Sequence, residues 1–417
     1  MKIFLTLPPE TRRNLLTLFV AGLLFWASIA ALLPVLPLYV QSIGGGGQTI
    51  GIVMGAFAIG LLGTRSSLAQ LADVRGRKLV LLIGIVVVAI APLGYIATES
   101  FSLLIGVRAF HGISIAAFAL AYSALVVDLA PSHSRGEVIG YMSLVNPIGM
   151  GLGPALGGFL ESQYGFTPAF LMAVVLGTIG LLFTLKLKEP YRVASQTPQP
   201  SFLKFWQMLG HPSIRTPALV LLLIGISFGA LTTFVPLLVN EAQVSLNVGL
   251  FYSMAAIAGF IIRLLVGRAS DYYGRGPFIS ISLVFYAISM ATLWLADSAP
   301  MFLLAGFLEG MAAGTLIPMM AALMADRAQT DQRGLMFSLC MVGFDLGIAM
   351  AGPLLGAIAA QSSYRYIFGL SALLSCLGLV VFLTLSSKDL RHSLRFALGR
   401  GRDVYALDTL PVDLVSK

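Results

Sequence analysis

Charge is what this 417-residue sequence has least of: Asp, Glu, Lys and Arg make up 11% of it, against 58% hydrophobic residues. A soluble chain of this length needs a polar exterior, and a mean hydropathy of +0.91 excludes one. Cysteine is nearly missing. Cys340 and Cys376 fall inside apolar runs without ligand-spaced neighbours, which argues against a structural disulfide and against a metal centre. Four scattered histidines supply neither a metal cluster nor a base beside a nucleophile, so enzyme chemistry finds no site and no cofactor is expected. A nucleic-acid reader is also missing. The segment from Met1 to Glu10 lacks a long apolar core before Pro8 and Pro9 and lacks a small-residue cleavage pattern, so no removal of a leader is expected.

What is present is length without charge. Apolar runs cover 14–40, 49–70, 77–97, 101–127, 135–160 and 167–186, then 216–240, 247–268, 277–296, 300–324, 334–360 and 364–386. Each is long enough to cross a bilayer as a helix. The 44 glycines are spread through these runs, which suits close helix packing in lipid. The expected fold class is an all-α membrane protein with twelve transmembrane helices in two pseudo-symmetric six-helix bundles.

The two bundles are copies of one another. Ala69 to Lys78 return as Gly267 to Gly276, displaced by 198 positions, and the same offset maps Arg65 onto Arg263, Gly112 onto Gly310 and Asp128 onto Asp326. A repeat that long exceeds any solenoid period and marks a folded unit. The expected organisation is a segment at 1–13, a bundle at 14–186, a linker at 187–215, a second bundle at 216–386 and a basic tail at 387–417. A monomer is expected, because the duplication already supplies a domain interface.

Of the 26 Lys and Arg, all but Arg65, Arg108, Arg263 and Arg365 lie in the amino-terminal segment, the tail or the loops after even-numbered runs, which orients both termini toward the cytoplasm. The net charge of +8 is thereby a topology signal, and the basic face should attract anionic lipid. Within the linker, Ser201 to Leu209 forms a short amphipathic stretch suited to the membrane surface. The tail, with Arg391, Arg395, Arg400 and Arg402, reads as a basic segment on the same surface or as the contact of a regulatory partner. Gly44 to Gly47 read as a slack connection.

Asp73, Gly76, Arg77 and Lys78 resemble the signature loop G-x-x-x-D-R-x-G-R-R of the major facilitator superfamily, with Ala69 and Val74 as departures; Asp271, Gly274 and Arg275 repeat it. The resemblance implies a cytoplasmic latch between the halves, with Asp128 as partner of Arg77. Gly149, Gly153, Pro154, Gly157 and Gly158 fill every fixed position of G-x-x-x-G-P-x-x-G-G, a motif associated with proton-coupled drug and metabolite antiporters of that superfamily. Generic small-residue packing is the other reading of those glycines. Arg108 to Gly112 resemble the family segment R-x-x-Q-G with His111 in place of glutamine.

Arg108 and His111 lie on one helical face that continues through Phe118 and Tyr122. The resemblance places that face on the central cavity; snorkelling of Arg108 to headgroups is the alternative. Duplication adds more. His111 maps onto Glu309, and Asn146 maps at a local offset of 199 onto Asp345. An acid deep in a membrane span is a functional site by default. Glu309 and Asp345 are therefore candidate proton sites, with His111 able to share the role; fixed polar contacts between helices are the bland reading. Arg65 and Arg263, eight residues before their loop aspartates, either snorkel or serve a gate. Three arginines against two acids point to a neutral or weakly acidic amphiphilic substrate exported in exchange for protons by alternating access. A facilitator, symporter or lipid transporter of the same fold is the alternative. A bacterial inner membrane is the expected location.

Overall fold

The computed structural model describes residues 7–131, 134–189, 207–329 and 332–407. The described residues contain no strand. The first half holds α1 (Pro9–Ser42), α2 (Gly47–Gly55), α3 (Phe57–Arg75), α4 (Arg77–Ala97), α5 (Phe101–Leu129), α6 (Arg135–Met142), α7 (Val145–Tyr164) and α8 (Phe166–Leu185). The second holds α9 (Pro212–Glu241), α10 (Gly249–Tyr273), α11 (Arg275–Leu295), α12 (Ala299–Asp326), α13 (Arg333–Ala359) and α14 (Tyr364–Leu385), and α15 (Leu390–Ala397) follows in the tail.

Eleven passages among the described residues are long and apolar enough to cross a membrane, α2 and α3 counting as one. The fifth passage, α6 followed by α7, makes twelve. It departs from a single apolar span because a turn at Ser143 and Leu144 interrupts the helix and because Asn146, Glu161, Ser162 and five glycines dilute α7. Its 20 residues still extend about 30 Å. Most of the amphipathic stretch expected at 201–209 lies outside the described residues.

The duplicated loops are single-residue turns. Gly76 (φ 102°) separates α3 from α4, and Gly274 (φ 83°) separates α10 from α11. Only a residue without Cβ adopts that backbone cheaply, which explains why both copies place glycine there. Within the first half, α7 packs on α1: added Cβ atoms at Gly149, Gly153 and Gly157 would strike Trp26, Ala27 and Ala31. In the second half, Gly343 and Gly347 meet Ala218 and Leu222 of α9 in the same way.

The halves meet toward the face opposite the basic loops. Gly51 of α2 lies against the Gly352 carbonyl of α13, and Gly249 of α10 lies against the Pro154 carbonyl of α7. Asn247 Nδ2 donates to the Ala155 carbonyl at 3.2 Å, and the Ser253 hydroxyl donates to the Gly151 carbonyl. Gly47 packs on Ala359, so the glycine run after α1 ends in a built contact rather than in slack; Gly44, at φ 92°, makes the turn. Beside this seam, Pro34, Gln41, Glu161, Pro236, Asn240 and Asn247 line a cavity of about 410 Å³.

Candidate functional site

Among the described residues, an ion pair joins the two halves within the spans. Arg65 of α3 pairs through Nη1 with the Asp345 carboxylate of α13. Asp345 lies twelve residues into α13, about 18 Å from its start, which puts the pair deep in the span. The aspartate side chain is 10% exposed and that of Arg65 43%, so one partner is buried and the other is half-exposed. The Arg65 cation is held by an acid from the other half.

Two further clusters occupy matching places in the halves. In the first, His111 of α5 is fully buried and its Nδ1 lies 3.0 Å from the Tyr95 hydroxyl of α4. Arg108 is also buried, with its guanidinium carbon 4.4 Å from the centre of the Phe57 ring. Snorkelling of Arg108 is excluded by that burial. Its Nε and the Nε2 of His111 have no hydrogen-bond partner among the described residues. In the second half, Glu309 of α12 is buried within electrostatic reach of Tyr286 from α11 and of Tyr252 and Arg263 from α10. Glu309 Oε1 likewise has no hydrogen-bond partner among the described residues. The duplicated pair His111 and Glu309 thus keeps a common setting, a tyrosine from the third passage of its own bundle.

Other expected cavity residues take different places. Phe118 stacks on Phe25 of α1 at 3.8 Å with its ring buried, and the Tyr122 hydroxyl donates to the Met142 carbonyl at 2.8 Å. Both are packing residues in this arrangement rather than cavity lining, because Gly84 and Gly22 leave room for the rings to sink between helices. Phe25 and Tyr39 are buried too, the latter donating to the Thr98 carbonyl at 3.0 Å. Asn146 is half-buried in the first turn of α7.

The loop signatures pair inside each half. Arg77 bonds Asp128 and the Ala124 carbonyl (2.5 Å); Arg275 bonds Asp271 (2.5 Å), Asp326 (3.2 Å) and the Ser270 hydroxyl (2.8 Å). Lys78 reaches the Leu185 carbonyl at 3.0 Å, and Asp73 is exposed. The expected latch partner of Arg77 is in contact with it, but these bonds link passages within a bundle and not the two bundles. Sequence reasoning missed Glu189. Its carboxylate accepts from the amides of Arg77 (2.6 Å) and Lys78 (3.1 Å), capping the positive end of α4. No sequence signal near residue 189 marks it, since a lone glutamate after a span is ordinary.

The glycine motif in α7 serves two contacts at once. Gly149, Gly153 and Gly157 meet α1 of the same half, whereas Gly158 meets Asn247 and the Pro154 carbonyl meets Gly249 of the other half. A helix that packs closely on both sides couples its own bundle to the seam. No group of His, Cys, Asp or Glu among the described residues is disposed to hold a metal ion.

Comparison with known proteins places this geometry. A model of the Major Facilitator Superfamily matches residues 18–276 and 257–403. The multidrug resistance protein MdtG of Enterobacter lignolyticus (strain SCF1) is 27% identical over 384 residues, covering 88% of this chain and 90% of that protein. MdtG of Salmonella choleraesuis (strain SC-B67) is 26% identical over 409 residues, covering 94% and 98%. Among solved structures, the nucleoside transporter NupG superposes with a TM-score of 0.71 at 16% identity, covering 88% of this chain and 99% of that one. The human organic anion transporter MFSD10 superposes with a TM-score of 0.65 at 21% identity, covering 90% and 100%. The chain belongs to the Major Facilitator Superfamily and is a multi-pass membrane transporter, not an enzyme.

Proposed function

We propose that the protein exports a small amphiphilic molecule, neutral or weakly acidic, in exchange for protons. The observation that carries this reading is the Arg65–Asp345 pair, an ionisable bond between two halves that must separate for the opposite face to open. Protonated, Asp345 is neutral and leaves the halves free to rock. Ionised, it pairs with Arg65 and holds the seam at Gly51 and Gly352 shut. An empty, deprotonated carrier would have to break the pair and strand a buried carboxylate to reopen, which is costly. A substrate that accepts hydrogen bonds from Arg65 lowers that cost, and the carboxylate then takes up a proton from the opposite side. Coupling follows from the cost of the unpaired charge.

The charge inventory supports the substrate class. Arg65 faces Asp345 and Arg263 acts on Glu309, which leaves Arg108 as a buried cation without an acid partner among the described residues. Relatives bearing the name multidrug resistance protein support export of organic molecules. In this reading the protein is a monomer in a bacterial inner membrane, with its termini in the cytoplasm and protons and substrate as its partners. Glu309 and His111 are the second proton-handling groups, and Asn146 and Arg108 contribute to the substrate path.

Inside-out vesicles with an acidified lumen test it. Amphiphilic acids, sugars and cationic drugs are added singly while lumenal pH is followed. Compound-specific dissipation of the gradient that vanishes in Asp345→Asn is expected. Equal uptake by wild type and variant with no proton movement sinks the antiport reading and leaves a facilitator or lipid transporter.

A further inference from the structure

The described part of the tail, to residue 407, packs on the second bundle. Ser393, Phe396 and Ala397 of α15 are buried: the Phe396 ring lies 6.0 Å from that of Phe382, and the Ser280 hydroxyl donates to the Ala397 carbonyl at 3.0 Å. Past α15, the Asp403 carboxylate accepts two bonds from Arg327, at 2.7 and 3.0 Å. The same guanidinium donates to the carbonyls of Ser213 (2.6 Å) and Ser386 (3.3 Å) and lies 5.0 Å from the centre of the Tyr405 ring. Arg327 follows α12, Ser213 begins α9 and Ser386 follows α14, so one buried cation ties three span ends to the tail. The face that α15 turns outward is fixed in place.

That outward face has its own pattern. Leu390, Leu394 and Leu398, spaced by one helical turn, are 55%, 38% and 56% exposed. Exposed Arg391 and Arg395 flank them, and exposed Lys388, Arg400 and Arg402 stand at either end. Asp389, at the start of α15, is engaged by the His392 ring at 2.7 Å. At the same level, Tyr272 and Tyr273 at the end of α10 are exposed, and the Tyr273 carbonyl adjoins Gly399. Leu390 is five residues past the end of α14, so the stripe sits where the hydrocarbon core gives way to headgroups.

We propose that the outward face of α15, with Arg391, Arg395, Arg400 and Arg402, is a docking surface for anionic phospholipid headgroups. The leucines enter the acyl boundary, the arginines meet phosphates at the rim, and the tyrosine pair supplies the aromatic belt beside them. Charge complementarity selects an anionic surface, and the aligned apolar stripe selects a bilayer.

Hydrogen–deuterium exchange of the 390–398 amides in the full chain tests the assignment, in nanodiscs of phosphatidylcholine alone and of equimolar phosphatidylcholine and phosphatidylglycerol. Two arginines near an anionic surface should slow exchange by roughly tenfold or more in the anionic discs. R391Q/R395Q should erase most of the difference, and R391K/R395K should keep it. Equal exchange in both lipids, or a difference that survives R391Q/R395Q, overturns the proposal. Protection seen only in native membrane patches and in neither pure lipid overturns it in favour of a protein partner.

Discussion

Removing Arg327 alone leaves the Asp403 carboxylate buried without its cation. Both side chains are nearly sequestered, 1% and 8% exposed, and breaking such a pair costs about 3–5 kcal/mol. Arg327→Met should therefore release the tail, seen as rapid tryptic cleavage after Arg391 or Arg395, while Arg327→Met/Asp403→Leu should recover much of the resistance by replacing both charges with apolar bulk. A single variant as resistant as wild type would mean that Phe396 packing and the Ser280–Ala397 bond suffice to hold α15. The cap of the same helix behaves differently. Amide and ring bonds from His392 hold the exposed Asp389 carboxyl below the ordinary carboxylate range. A lowered value contributes stability above the unfolded pKa that is lost as pH falls through the folded one, so circular dichroism should show α15 intact in mild acid. Asp389→Asn should lose that pH dependence.

Glycine contacts at the scale of helices divide into two classes with different expected effects. Gly153 and Gly157 pack α7 on α1 within one bundle, so Gly157→Ala should destabilise the protein in every conformation, by roughly 1–3 kcal/mol as an overpacked contact. Gly51 and Gly249 pack across the seam, where a Cβ meets the backbone carbonyls of Gly352 and Pro154. Gly51→Ala should leave each bundle stable yet expose the opposite face, raising thiol labelling at Gln41→Cys in a Cys376→Ser background; unchanged labelling would place the seam elsewhere. Much of this level was legible in sequence. The offset of 198 found both bundles, and Gly76 and Gly274 proved to be the turns that their positive φ requires. Two features were hidden for physical reasons. The Phe118–Tyr122 stripe reads as an open face because helical spacing cannot tell a cavity from a neighbouring helix that bears Gly22 or Gly84. The tail fold rests on Arg327 and Asp403, 76 residues apart, and no local period records such a pairing.

For the whole molecule, the same limit applies to Arg65 and Asp345. Duplication singled out each, but their meeting depends on the register of α3 against α13 in the other half, a long-range fact that spans 280 positions. That register also predicts a conformational equilibrium controlled by one proton. Because the Arg65 side chain is 43% exposed, the bond itself is worth about 1 kcal/mol, apart from the cost of leaving the Asp345 carboxylate unpaired. Loss of that amount shifts a two-state balance roughly fivefold. Labelling at Gln41→Cys, on the seam side, should accordingly rise about fivefold in both Asp345→Asn and Arg65→Gln. Acidification should raise it in wild type, where protonation neutralises the carboxylate and frees Arg65, and should have little effect in Asp345→Asn, which already lacks the charge. The double variant should match either single one, since both remove the same bond. If acid opens Asp345→Asn as fully as wild type, the controlling proton belongs to another group, and Glu309, buried beside Arg263 in the second half, becomes the next site to neutralise.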